Sequence, residues 1–141
     1  MLNGIPLFSG LTESEKSTVS LFAQERKINV GTLLFSENDD ATAMYIVKDG
    51  KLKIYRDRSS GEISLGFILP GEIVGEMALF DATSPKKRLA SVKAMEDTLI
   101  VVIVDYAIME LSRKHPEVYS KIQQVIRRRN EENIAKRQAG I

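Results

Sequence analysis

Gly75-Glu76-Met77-Ala78-Leu79, followed nine residues later by Arg88-Leu89-Ala90-Ser91-Val92, is the part of this sequence whose residue types could do chemistry. A glycine and a carboxylate open what can be one helical turn. A helix N-terminus offers free backbone amides to an anion, here those of Met77 and Ala78. Arg88, opening the next strand, can meet the same anion with a two-pronged hydrogen bond. A carboxylate beside an anion is repulsive unless it accepts from a hydroxyl on the same ligand. Phosphate next to a sugar hydroxyl satisfies both demands, so these residues suggest a phosphorylated sugar or nucleotide. A structural ion pair between Glu76 and Arg88 is the alternative.

Composition narrows the rest. The 141 residues suffice for one domain with one sizeable core, and 43% apolar with 28% charged is globular. The net charge of +1 gives no bulk attraction for nucleic acid or an anionic membrane. Eight of the basic and three of the acidic residues fall between Arg113 and Ile141, a basic tail on a mildly acidic body. There is no cysteine, hence no disulfide, thiolate metal site or cysteine nucleophile, and the single His115 excludes a multi-histidine metal cage. No nucleophile–base pair accompanies the Glu76–Arg88 stretch, so no catalytic or metal residue is assigned and an enzyme is not expected. The start, Met1 to Pro6, lacks the basic and apolar runs of a signal peptide, and Leu99–Val104 is too short to span a bilayer. The expectation is a soluble, cytoplasmic domain.

The elements that would position the site read as short strands between helices. Thr12-Glu13-Ser14-Glu15 fits a capping box, and Val19, Phe22 and Ala23 then sit at helical spacing, predicting a helix over about 13–23. From Arg26 the period is two: Ile28 and Val30, Leu33 to Phe35, Met44 to Val47, Leu52 and Ile54, then Ile63, Leu65, Phe67 and Leu69. Lys48-Asp49-Gly50-Lys51 carries the Asp-Gly signal of a hairpin turn. Gly50, Gly61 and Gly71 punctuate these strands at nearly even spacing. Leu89–Met95 and Leu99–Val104 are the last strands, the second apolar on both faces and so central or covered by helix. Asp105 reads as the N-cap of a helix with Tyr106, Met109 and Leu111. Pro116 suits the first position of another, running to about 137 with Val118, Ile122, Val125 and Ile126 as its stripe. Glu131, Glu132 and Lys136 stand four residues after Arg127, Arg128 and Glu132, which adds pairs along the helix. His115 reads as a helix-junction residue, and Arg127 to Arg129 as a solvated face near a C-terminus. The fold class is mainly β: a β-barrel or jelly-roll of short antiparallel strands with an N-terminal helix and two C-terminal helices. Its parts are a helical cap at about 5–24, the barrel at about 25–105 and C-terminal helices at about 106–137, one domain over 1–141.

At these residues the chain resembles the cyclic nucleotide-binding domain family. That family's phosphate-binding cassette has the form Gly-Glu-x-Ala-Leu, a short variable loop, then Arg-x-Ala-x-Val, matched here by Gly75 to Leu79 and Arg88 to Val92. Gly31 to Glu37, Met44 to Gly50 and Leu69 to Glu72 look like the family's strand landmarks, so the likeness covers roughly residues 4–126. The resemblance implies a role for each matched position. Arg88 pairs with the cyclic phosphate, helped by the amides of Ala78 and Leu89, and Glu76 with Gly75 takes the ribose 2′-hydroxyl. Ile68, Val74 and Leu89 line the purine, and Ile122 and Ile126 of the last helix close over it. Leu89 stands where guanine-selective members place a hydroxyl, which tilts the ligand toward cAMP over cGMP. Two departures stand out. The Phe80–Lys87 loop, with Ser84-Pro85-Lys86-Lys87, is longer than the family's, and Asn38 replaces a usual glycine, a mild change because Asn tolerates positive φ. Lys86 and Lys87 either strengthen the field at the phosphate or merely flank it.

The function so implied is a cyclic purine nucleotide sensor that signals through its C-terminal helix. The alternative is a domain that kept the fold, lost the nucleotide and serves as a protein interaction module. With Ile141 last, no winged-helix DNA reader is expected and nucleic acid is not a partner. Output then passes to a separate effector protein or through homodimerisation on the last helix, or the sequence is part of a longer protein. Val118, Ile122, Val125 and Ile126 are the candidate seam, unless they are buried against the barrel.

Overall fold

Thr12 starts the first helix as its spacing predicts. Its Oγ1 accepts from the Glu15 N–H at 3.1 Å and Glu15 Oε1 accepts from the Thr12 N–H at 2.8 Å, closing a capping box over α1 (Glu13–Ser20). The computed structural model describes residues 2–80 and 86–138. The helix ends earlier than expected. Val19 packs inward, Phe22 is exposed and Ala23 already begins a strand, because the chain must straighten to enter the sheet. A 3-10 turn at Pro6–Phe8 precedes α1 and buries Leu7 and Phe8.

Eight strands follow: β1 (Ala23–Ile28), β2 (Leu33–Phe35), β3 (Ala43–Asp49), β4 (Leu52–Arg58), β5 (Gly61–Ile68), β6 (Ile73–Val74), β7 (Ser91–Ala94) and β8 (Thr98–Val104). They form two antiparallel four-stranded sheets, ordered β1-β8-β3-β6 and β2-β7-β4-β5. This is the expected mainly β architecture with flanking helices. β8 lies between β1 and β3, which explains why it is apolar on both faces. β3 shows the period of two directly. Met44 and Ile46 join the cluster beneath the helices, while Tyr45 and Val47 join the cluster between the sheets.

The turn at Asp49-Gly50 is not a hairpin. β3 pairs with β8 and β6, β4 with β5 and β7, so the chain crosses from one sheet to the other there. The local signal was right about the bend: Gly50 has φ 100°. A Cβ on it would lie 2.7 Å from Thr98 Cα and 2.8 Å from Asp97 O, so the crossing is too close for any side chain. Met44 to Val47 are buried on both faces, and a two-stranded ribbon with one solvated face could not have covered them.

Three helices complete the domain: α2 (Met77–Phe80), α3 (Asp105–Lys114) and α4 (Pro116–Gln138). Asp105 is not the N-cap of α3. Val104 holds that position without a side-chain bond, and Asp105 Oδ2 instead accepts from Lys86 Nζ at 3.1 Å. Pro116 opens α4, as expected. Val118, Ile122 and Ile126 are buried in the cluster with Phe8, Met44, Val101 and Ile108, and Val125 packs beside them. The stripe of α4 is therefore core and not a free seam. The last-turn pair expected between Glu132 and Lys136 lies outside the described side chains.

Candidate functional site

Arg88 does not open a strand; it stands three residues before β7, held by its backbone. Its N–H donates to Asp39 O at 2.8 Å and its carbonyl accepts from Asn38 N–H at 2.8 Å. Asn38 adopts φ 74°, the left-handed conformation that its side chain tolerates and that turns the 36–41 loop onto the arginine. Lys87 bridges Asp40 in register and its Nζ pairs with that carboxylate, while Lys86 pairs with Asp105. Both lysines thus flank the arginine in ion pairs of their own. Most of the longer cassette loop, with Ser84 and Pro85, lies outside the described residues.

The Arg88 side chain is 3% exposed. Nη1 donates to Gly75 O at 3.0 Å and Nη2 to Ala43 O at 2.7 Å, and the guanidinium lies 4.1 Å over the Phe35 ring and 5.6 Å from that of Tyr45. Burial pulls its pKa below the ordinary arginine value, against the opposing influence of Tyr45, Glu76 and Asp39. Gly75 makes the seat possible. At φ 89°, a Cβ there would stand 2.7 Å from Arg88 Nη1.

Glu76 is 1% exposed, yet it does not pair with Arg88. Its Oε1 accepts from Arg129 Nη1, and Arg129 Nη2 reaches Ile73 O at 2.5 Å. Arg129 is therefore not part of a solvated face; its side chain is only 12% exposed. One signal in the sequence placed it: Ile122, Ile126 and Arg129 stand four and three apart, so the arginine shares the face of two buried isoleucines. After these pairings Glu76 Oε2 and Arg88 Nε, an acceptor and a donor both buried, have no partner among the described residues. The Glu76 carbonyl accepts from Leu79 and Phe80 N–H to form α2, which leaves the amides of Met77 and Ala78 ahead of its first bond.

Gly75, Glu76, Ala78, Arg88, Leu89 and Val74 line one cavity of about 80 Å³, with Arg129 at its edge. A second cavity of about 330 Å³ adjoins it, lined by Ile68, Phe67, Glu72, Arg128 and Glu132 and sharing Ile54, Met77 and Arg129 with the first. Arg129 stands at the boundary of the two. Seven of the nine sequence-singled positions thus gather here: Gly75, Glu76, Ala78, Arg88, Leu89, Val74 and Ile68. Ile122 and Ile126 do not; they face the core, and α4 meets the cleft with Arg128, Arg129 and Glu132. Among the described residues no group of three or more His, Cys, Asp or Glu could hold a metal, and no helix is long and apolar enough to cross a membrane.

The glutamate turn and the buried arginine thus stand together in a double-sheet β-roll beneath an overlying helix. The sequence profile of the cyclic nucleotide-binding domain matches residues 25–115, and the chain belongs to that family. Over 129 residues it is 33% identical to the cyclic AMP receptor protein of Thermus thermophilus, covering 91% of this chain and 58% of that protein. The crystal structure of Thermus thermophilus catabolite activator protein matches with a TM-score of 0.79 at 31% identity, over 95% of this chain and 62% of that one. The N-terminal domain of a transcriptional regulator from Streptomyces coelicolor A3(2) matches with a TM-score of 0.67 at 27% identity, over 91% of this chain and 90% of that one. The chain thus spans less than two thirds of the receptor protein it resembles.

Proposed function

We propose that the domain binds a cyclic purine nucleotide, cAMP in preference to cGMP, and passes the binding event on through α4. The observation that carries this reading is the pair of buried, half-satisfied charges. Glu76 Oε2 can accept from a ribose 2′-hydroxyl and Arg88 Nε can donate to a phosphate oxygen, since neither atom has a partner among the described residues. Gly75, with Glu76, takes the ribose, and the amides of Ala78 and Leu89 support the phosphate. Ile68, Val74 and Leu89 supply an apolar bed for the base, and the aliphatic Leu89 offers nothing to a guanine amine. The larger cavity, lined by Ile68 and adjoining the one lined by Val74 and Leu89, is of a size to take the purine. Signalling is a population shift: nucleotide competes with Arg129 for Glu76 and so favours a different setting of α4. Output then goes to a separate effector or to self-association, and no catalytic step is involved.

One observation favours the second reading, a nucleotide-free interaction module. Arg129 already occupies Glu76, and the cassette cavity is about 80 Å³, well below the roughly 300–1,000 Å³ of small-molecule sites. Calorimetric titration with cAMP and with cGMP separates the two. The sensor reading expects saturable heat with cAMP, weaker binding of cGMP, and a loss of about 1.5–3 kcal/mol or more of binding energy in Arg88→Ala. No heat and no thermal shift with either nucleotide would establish the interaction module instead.

A further inference from the structure

Phe35 is no part of the cassette motif, yet its ring lies under the Arg88 guanidinium, 4.1 Å from ring centroid to charge. Tyr45 is 5.6 Å from the same group and stacks on Phe35, the two ring centroids 5.9 Å apart. The backbone builds both contacts. β2 brings Phe35 opposite Val92 of β7, and the chain then turns back over the arginine. Glu37 N–H donates to Ser91 Oγ at 2.9 Å, and Asn38 N–H to Arg88 O at 2.8 Å. β3 delivers Tyr45 from the other sheet. Phe35 also lines the cavity of about 80 Å³ together with Gly75, Glu76 and Arg88.

Charge explains why an aromatic ring is needed there. Among the described residues no carboxylate pairs with the Arg88 guanidinium: Glu76 is taken by Arg129, and Asp39 accepts from the Ser36 N–H at 2.9 Å. The carbonyls of Gly75 and Ala43 accept from Nη1 and Nη2, but they carry no net charge to offset a cation that is 3% exposed. Desolvation is accordingly the largest influence on this group and lowers its pKa. A buried cation without a counter-ion is costly, and its relief is to swing through the cavity into water. The negative face of an aromatic ring opposes that escape. A leucine in its place would pack against the guanidinium without attracting it. An arginine that has swung out is lost to a phosphate, and affinity falls with the fraction left in place. We infer that Phe35 is a positioning residue for the phosphate: the face of its ring keeps the Arg88 guanidinium in its buried seat while no anion is bound. The phosphate part rests on the nucleotide reading above; the aromatic seat does not.

Fluorination separates attraction from packing, because fluorine draws negative charge off the face of a phenyl ring and changes its size little. The full chain is made with mono-, di- or trifluorophenylalanine in place of Phe35, and as Phe35→Leu. The first measurement is the thermal midpoint without nucleotide. It should fall stepwise with each fluorine, by about 2–5 °C at the trifluoro ring, and should not fall in an Arg88→Met background, where no cation faces the ring. A midpoint that stays level across the series, or falls as much without the arginine, overturns the seat. Should Arg88→Met not fold, the series in the natural chain decides alone, since a ring that only packed would gain from the more apolar fluorines. The second measurement is calorimetric titration with cAMP. Affinity should weaken about two- to tenfold from phenylalanine to the trifluoro ring, and at least as much in Phe35→Leu. Equal affinity throughout overturns the positioning role. A stepwise midpoint with no cAMP binding to the natural chain overturns the phosphate part through failure of the nucleotide reading, while the seat stands.

Discussion

Removing Arg129 tests how the site is held together before any ligand arrives. Arg129→Ala deletes a charged bond to Glu76 and one to the Ile73 carbonyl, each worth about 1.5–3 kcal/mol. It also strands a carboxylate that is 1% exposed, since the Arg88 guanidinium is engaged with the Gly75 and Ala43 carbonyls. Breaking a buried pair from one side costs about 3–5 kcal/mol. Freeing a long side chain that had been fixed returns up to about 2 kcal/mol of entropy. The net expectation is a loss of about 2–4 kcal/mol, which a domain of ordinary stability, about 5–15 kcal/mol, survives folded. Urea denaturation followed by circular dichroism should show the midpoint falling by roughly 1–2 M at unchanged slope. Adding Glu76→Gln removes the stranded charge, so the double variant should recover about 1–3 kcal/mol relative to simple additivity. An Arg129→Ala protein within about 0.5 kcal/mol of wild type, or a double variant that merely sums the two losses, would refute the claim that Glu76 is buried on the strength of Arg129.

Further outcomes follow from single contacts. Gly75→Ala drives a Cβ to 2.7 Å from Arg88 Nη1 at φ 89°, so it should cost about 1–3 kcal/mol in denaturation and, on the proposed nucleotide reading, weaken cAMP binding about tenfold or more. Thr12→Ala opens the α1 cap and should lower stability by about 1 kcal/mol without changing nucleotide affinity. The carboxyls of Glu37, Glu62, Glu25 and Glu110 are held below their ordinary 4.5, foremost by hydrogen bonds from Arg58, Lys53, Lys48 and Arg113 respectively. Their contribution is present above 4.5 and lost as pH falls through the lower folded-state values, so the thermal midpoint should drop on acidification below about pH 4.5. Glu62→Gln should make that drop shallower.

The cassette was legible because its chemistry is local. Gly75, Glu76 and Arg88 suggest, by type and order, either an anion-plus-hydroxyl corner or an ion pair, and the structure brings them onto one cavity without pairing the two charges. The capping box at Thr12 and Glu15, the central place of β8 and the positive φ of Asn38 are also short-range matters of pattern and stereochemistry. What failed was decided by partners distant in sequence. Asp49-Gly50 bends the chain whether it closes a hairpin or crosses between sheets, and only the burial of β3 on both faces chooses. Asp105 had the side chain for an N-cap, but Lys86, nineteen residues earlier, claims its carboxylate. Arg129 looked like one of three solvated arginines because a charge run hides the helical phase of its members. Reading that phase from Ile126 would have turned it inward.

The pairing of β1 with β8 joins residues 23–28 to residues 98–103, so the sheet that carries β3 cannot close until most of the chain has been synthesised. Folding that depends on such distant strands is slow, and the partly made domain exposes apolar edges in the meantime. Glu76 has a further wait. Its counter-charge lies on α4, more than fifty residues downstream. Until that helix is made the carboxylate must stay in water. The site is thus completed from distant parts of the chain: the barrel supplies the arginine, and the last helix supplies the residue that seats the glutamate.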